Sequence, residues 1–142
     1  MILFCDTSAL MKLYAQEAHS DDVRAAVKQA SATLVSLMTW VEVHAAFSLK
    51  QRTQHVTEPQ VLAGLARLRQ EWDNFTRIAV DAALITVAAE LALRFGLRAY
   101  DSVQLASAWR AHQQLGTTMR FVCFDKQLTS AAQALGLRVD PI

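Results

Sequence analysis

Four short apolar runs, Ile2–Cys5, Thr33–Leu37, Arg77–Val80 and Phe121–Phe124, are continuous rather than alternating in polarity. A strand with one wet face alternates, whereas a parallel strand covered on both faces stays apolar throughout. Between these runs the apolar residues recur at helical spacing. Val61, Leu65, Leu68 and Trp72 form one stripe, opened by Thr57-Glu58-Pro59-Gln60 with a Thr N-cap, an early Pro and a Gln at the third helical position. Leu84, Val87, Leu91 and Phe95 form another, stopped by Gly96. Val103, Ala106 and Trp109 mark a third, ending before Gly116, and Leu128, Ala131 and Leu135 a fourth. Shorter helices are expected over 8–16, 21–30 and 40–52. Strands alternating with helices make an α/β three-layer sandwich around a parallel sheet of four or five strands, the fifth being Leu137–Val139. The stretch from Trp40 to Phe75 is longer than a simple crossover needs and predicts a helical hairpin between the second and third strands, a candidate partner-binding element.

Residues 1–142 read as one domain. Apolar residues make up 53%, enough for a core without disulfides, and the net charge of +1 argues against tight sequence-independent binding to duplexes, though not against an enzyme that meets RNA locally through metal ions. Cys5 and Cys123 sit in apolar runs without metal-ligand spacing and read as free buried thiols. No basic leader precedes the first apolar run and no apolar stretch is long enough to span a bilayer, so a cytoplasmic protein without a membrane partner is expected.

Ligands of doubly wound sheets bind beyond the carboxyl ends of the strands. Asp6 follows the first strand, Glu42 the second and Asp125 the fourth, while Asp101 opens the long helix that leads into the fourth. Asp101 reaches the same rim only if the helix and turn before it bring it back there. Each residue has a structural use, since Asp is a favoured N-cap and Thr39-x-x-Glu42 spells a capping box. Gathered together, however, four carboxylates repel one another unless cations neutralise them, and hard oxygen donors suit Mg²⁺ or Mn²⁺ rather than zinc.

The ordered set Asp6-Thr7-Ser8-Ala9-Leu10, Val41-Glu42-Val43, Leu97-Arg98-x-Tyr100-Asp101-Ser102-x-Gln104-Leu105-Ala106 and Phe124-Asp125-Lys126-x-Leu128 resembles the PIN-domain family. Its order and spacing are similar to those of the VapC-type ribonuclease toxins of type II toxin–antitoxin systems. The resemblance spans 2–139. It implies a metal-dependent endoribonuclease that hydrolyses RNA phosphodiesters with metal-activated water. Asp6, Glu42, Asp101 and Asp125 would be the catalytic and metal-binding quartet, Ser8 a hydroxyl beside the first Asp, and the cofactor one or two Mg²⁺ or Mn²⁺ ions. It further implies RNA as substrate, a homodimer, and a cognate antitoxin whose segment wraps the helical hairpin and inserts a basic side chain near the carboxylates. Leu10, Val61, Leu65 and Trp72 are expected at such interfaces. One position departs from the pattern: Cys123 stands where the family often has Thr or Ser, and a thiol is the weaker hydrogen-bonding group.

Two other readings compete. A haloacid-dehalogenase-like phosphatase also places an Asp after its first strand, but wants a second Asp at position 8, where this chain has Ser. A non-catalytic RNA- or partner-binding module on the same fold is expected to lose part of the quartet, and all four residues are present. Lys12, Arg98 and Lys126 lie near enough to the acidic positions to steer phosphates, against the alternative of ordinary surface charge. His19, His44, His55 and His112 show no ligand spacing, His19-Ser20-Asp21-Asp22 reads as a capped helix start, and Trp40, Trp72 and Trp109 read as core or interface.

Overall fold

A computed structural model describes residues 1–139. Four strands, β1 (Ile2–Cys5), β2 (Ala32–Ser36), β3 (Thr76–Ile78) and β4 (Met119–Val122), form one sheet in the order β3-β2-β1-β4. Every pairing is parallel, with Phe4 opposite Leu34 on one side and Phe121 on the other. Strands β1, β2 and β4 are largely apolar because each feeds two cores. Phe4, Leu34, Met119 and Phe121 pack into one, and Leu3, Cys5, Val35 and Val122 into the other. The edge strand β3 is the exception: its Arg77 is exposed and pairs with Asp73 at 2.7 Å, a charge that discourages edge-to-edge association. The fifth expected strand is reduced to a single parallel bridge between Arg120 and Arg138.

On one face lie α1 (Thr7–Tyr14), α2 (Ser20–Gln29), α3 (Thr39–Arg52) and α4 (Glu58–Glu71). On the other lie α5 (Ala82–Phe95), α6 (Ala99–Leu115) and α7 (Lys126–Ala134). The expected hairpin is α3–α4. Thr57 and Gln60 form the capping box anticipated at its second helix. Gly64 lets α4 approach closely: a Cβ there would lie 2.5 Å from Phe47 Cζ and 3.0 Å from the Tyr14 carbonyl oxygen.

Some expectations need correcting. α1 is buried from Ala9 to Tyr14, so it has no polar face and runs beneath its neighbours. Leu10 is therefore wholly core, as is Val61, and neither is available as an interface residue. Trp72 packs against Trp40 (ring centroids 5.1 Å apart) and Leu65 against the same core, but both are only partly buried and keep surface for an interface. α2 begins without a side-chain cap. His19 adopts a left-handed φ of 68°, and Ser20 Oγ instead donates to the Ala15 carbonyl. Among the described residues no helix is long and apolar enough to cross a membrane.

Candidate active site

Asp6 immediately follows β1 and caps α1, its Oδ1 accepting from the Ala9 amide at 2.9 Å. Ser8 Oγ donates to the same carboxylate, 2.7 Å from Oδ1 and 3.0 Å from Oδ2. Asp125 follows β4 and caps α7 in the same manner, Oδ1 accepting from the Leu128 amide at 2.8 Å. For both residues the capping and site readings hold together. They do not for Thr39-x-x-Glu42. Met38, in helical conformation, is the residue at the N-cap of α3, and it makes no side-chain cap bond. Thr39 and Glu42 turn instead toward Thr7 and Gln104.

Asp101 reaches the rim because α5 and α6 form a second antiparallel hairpin. Gly96, at φ 65°, reverses the chain, and Arg110 on the last turns of α6 clasps Asp81 at the start of α5 at 2.9 Å. The start of α6 is thereby carried back above the carboxyl ends of β1 and β2. Asp6, Glu42, Asp101 and Asp125 all line one cavity of about 550 Å³, with Ser8 beside them.

The electrostatics of this cavity are unfavourable for four negative charges. Burial pushes the Asp6 carboxyl up, against the bonds from Ser8, Ala9 and Cys123 that favour its charged form. Burial also raises Glu42, and the nearby charges of Asp6 and Asp101 raise it further, opposed by bonds from Gln104 and Thr7. Arg98 supplies part of the missing positive charge. Its Nε donates to Asp101 Oδ2 at 3.0 Å, and its Nη2 lies 3.9 Å from Asp125 Oδ2. The donor set is hard oxygen and short of cation, which is the chemistry that fits Mg²⁺ or Mn²⁺. Among the described residues no three Asp, Glu, His or Cys side chains already converge into an ion cage.

Cys123 takes a hydroxyl's place between two carboxylate-bearing segments. Its Sγ donates to Asp6 Oδ2 at 3.2 Å and accepts from the Asp125 amide at 3.3 Å. Of the basic residues expected near phosphate, Arg98 and Lys126 are exposed beside the quartet, but Lys12 is not available. It is buried, paired with Glu17 at 3.1 Å, and sits 4.5 Å over the Phe124 ring. The sequence reading missed Thr7, Thr39 and Gln104 as a group. The signal that could have found them was a Gln three residues after Asp101, on the same face of the helix.

The family model for the PIN domain matches residues 3–134, and the chain belongs to the PIN-domain family. Ribonuclease VapC49 of Mycobacterium tuberculosis is 31% identical over 144 residues, covering 99% of this chain and 95% of the relative. Ribonuclease VapC46 of the same organism is 30% identical over 137 residues, with 96% and 95% covered. Within the PIN domains, the chain therefore falls in the VapC branch. Among solved structures, Mycobacterium tuberculosis VapC20, a toxin that cleaves the sarcin–ricin loop, aligns with a TM-score of 0.64 at 21% identity over 91% of this chain and 94% of that one. FitAcB from Neisseria gonorrhoeae aligns at 0.63 and 17% identity over 98% and 96%. These two likenesses establish the fold.

Proposed function

We propose that this chain is the ribonuclease toxin of a toxin–antitoxin pair and that it hydrolyses RNA with the help of Mg²⁺ or Mn²⁺. The observation that carries the reading is the meeting of four carboxylates, from four separate segments, in one cavity at the carboxyl edge of the sheet. Asp6 and Asp101 would be the principal ion ligands and Asp125 a further one. A hard divalent ion there would supply Lewis acidity and offset the charge of the phosphate. Ser8 and Cys123 hold Asp6 in place, Glu42 would hold the ion through water or orient the attacking water, and Arg98 and Lys126 meet the phosphates. Water attacks the phosphorus and the P–O3′ bond breaks, so the 3′ oxygen leaves as a hydroxyl and the phosphate stays on the 5′ side. Both oxygens of Asp6 are already engaged by donors, an arrangement that suits a ligand better than the nucleophile of a phosphatase.

The same cavity fits an antitoxin segment. From the acidic rim it follows one face of α3, past Met38, Val41, Ala45 and Leu49, residues spaced at three and four. Val41 and Leu49 are 60% and 55% exposed, an apolar trough ending in negative charge. An amphipathic segment carrying an Arg or Lys at its end would satisfy both. A homodimer completes the proposal, and a chain that scatters light as a monomer at micromolar concentration removes it.

The nuclease is tested by incubating the purified chain with RNA in Mg²⁺, in Mn²⁺ and in chelator, beside Asp6→Asn prepared identically. Discrete fragments with 5′-phosphate ends, lost with chelator and with Asp6→Asn, are expected. Equal cutting by both proteins points to contamination, and cutting by neither removes the nuclease reading.

A further inference from the structure

Behind Glu42 meet three polar side chains to which the catalytic chemistry gives no part. Thr7 opens α1, Thr39 opens α3, and Gln104 lies in the second turn of α6. Thr39 and Gln104 are 0% and 1% exposed. Gln104 Nε2 lies 2.6 Å from Glu42 Oε1, 2.9 Å from Thr39 Oγ1 and 3.1 Å from Thr7 Oγ1. Thr7 Oγ1 donates to the same Glu42 oxygen at 3.1 Å and lies 3.1 Å from Thr39 Oγ1. The first turns of α1 and α3 are thus tied to the second turn of α6 through one amide.

That amide is only half satisfied in the orientation it adopts. Gln104 Oε1 is buried without a hydrogen-bond partner among the described residues. An unsatisfied buried carbonyl is unfavourable. A half-turn of the amide would offer Oε1 to the two threonine hydroxyls, which can donate. The same turn would press Oε1 against Glu42 Oε1, acceptor against acceptor. The observed orientation serves the carboxylate and leaves the carbonyl unpaired, so the network is arranged around Glu42 rather than around its own satisfaction. Both donors land on Oε1, and among the described residues none reaches Oε2.

We infer that Gln104, braced by Thr7 and Thr39, is a positioning residue for Glu42, pinning Oε1 so that Oε2 is the oxygen left to serve the cavity. The inference rests on the nuclease reading and deepens it. It also gives a part to a buried polar residue of α6.

The test uses the intact chain. Gln104→Met keeps the side-chain length and the packing but removes the amide. Three quantities are read: Mn²⁺ affinity of the RNA-free protein by titration calorimetry, kcat and KM for an RNA, and Tm. The expected result is a Tm close to native, Mn²⁺ affinity and kcat each down about ten-fold or more, and KM for RNA little changed. Thr39→Val should move the same quantities in the same direction, and Thr39→Ser, which restores the hydroxyl, should recover them. If Gln104→Met does not fold, the Thr39 pair carries the same test. Native Mn²⁺ affinity and kcat in Gln104→Met and Thr39→Val, with both lost in Asp6→Asn, would overturn this inference and leave the nuclease intact. Absence of Mn²⁺ binding by the native chain, or equal binding by Asp6→Asn, would overturn the underlying reading and this one with it.

Discussion

Replacing Asp6 with Asn should stabilise the metal-free chain while abolishing cleavage, and the two effects have separable magnitudes. Asp6 is 4% exposed, and burial raises its carboxyl above the ordinary range despite the hydrogen bonds that oppose this. An acid raised in the folded state binds its proton more tightly folded than unfolded. Stability therefore falls as pH climbs from the ordinary carboxylate range through the raised value, and the full deficit is present above it. Each tenfold difference in proton affinity between the folded and unfolded chain corresponds to about 1.4 kcal/mol. Asn keeps an oxygen for the Ala9 amide and caps a helix about as well as Asp. What it gives up is the negative charge at the start of α1, worth about 0.3–1 kcal/mol, and the Oδ2 acceptor that faces Ser8 and Cys123. Relief of the buried charge has to outweigh both losses. At pH 7 without metal, Asp6→Asn should therefore melt above the native chain, because burial raises the Asp6 carboxyl and Asn carries no charge to bury. The gap should narrow as pH falls through the raised value. Adding Mn²⁺ should reverse the order, because only the native chain gains stability by binding the ion. Thermal unfolding at pH 7 and pH 5, with and without Mn²⁺, measures all of this. A metal-free Asn variant less stable than the native chain at pH 7 would refute the reasoning, since the charge would then be a helpful cap rather than a burden.

Three further outcomes are expected. Gly64→Ala places a Cβ 2.5 Å from Phe47 Cζ and 3.0 Å from the fixed Tyr14 carbonyl. Overpacking of about 1–3 kcal/mol should exceed the gain in helix propensity of about 1 kcal/mol, lowering Tm while cleavage per folded molecule persists. Asp125→Asn should retain the cap on α7 and Asp125→Ala should lose about 1 kcal/mol; cleavage should fall in both, and full activity in the Asn variant would make Asp125 a cap alone. Arg98→Gln removes the guanidinium from Asp101 and Asp125 and should tighten Mn²⁺ binding by the RNA-free protein, read by calorimetry. Unchanged affinity would show that Arg98 and the ion do not compete.

The strands were readable because their apolar continuity has a direct cause, two cores fed by alternate side chains of one strand. Thr57 and Gly96 were readable because caps act through neighbours a few residues away. The strand-end carboxylates were readable for a topological reason: parallel strands deliver their carboxyl ends to one edge. What stayed hidden was tertiary. Thr39 and Glu42 spell a capping box in the sequence, yet Thr7 and Gln104, 32 and 62 residues away, claim their polar atoms. Leu10 and Lys12 were misplaced because a helix of eight residues without a polar face gives no periodic sign of its burial. Leu137–Val139, read as a fifth strand, amounts to a single bridge at Arg138.

Each acidic residue is tolerable where the local chain puts it. Asp6 and Asp125 satisfy helix starts, Asp101 lies in a favourable first turn, and Glu42 takes two donors. The fold adds a penalty chiefly by burying Asp6 and Glu42, with the charges of Asp6 and Asp101 adding to it at Glu42, while Arg98 pairs with Asp101 and lies near Asp125. The cavity is therefore divided. Its outer half has an exposed arginine that can swing away, and its inner half has two carboxylates with hydrogen bonds but no cation. A divalent ion gains most by entering the inner half. A basic side chain from a partner has only to hold the outer pair in Arg98's manner to deny an ion its remaining ligands. On the proposed reading, metal and antitoxin compete for one quantity of uncompensated charge, and the affinity of either should fall as the other is added.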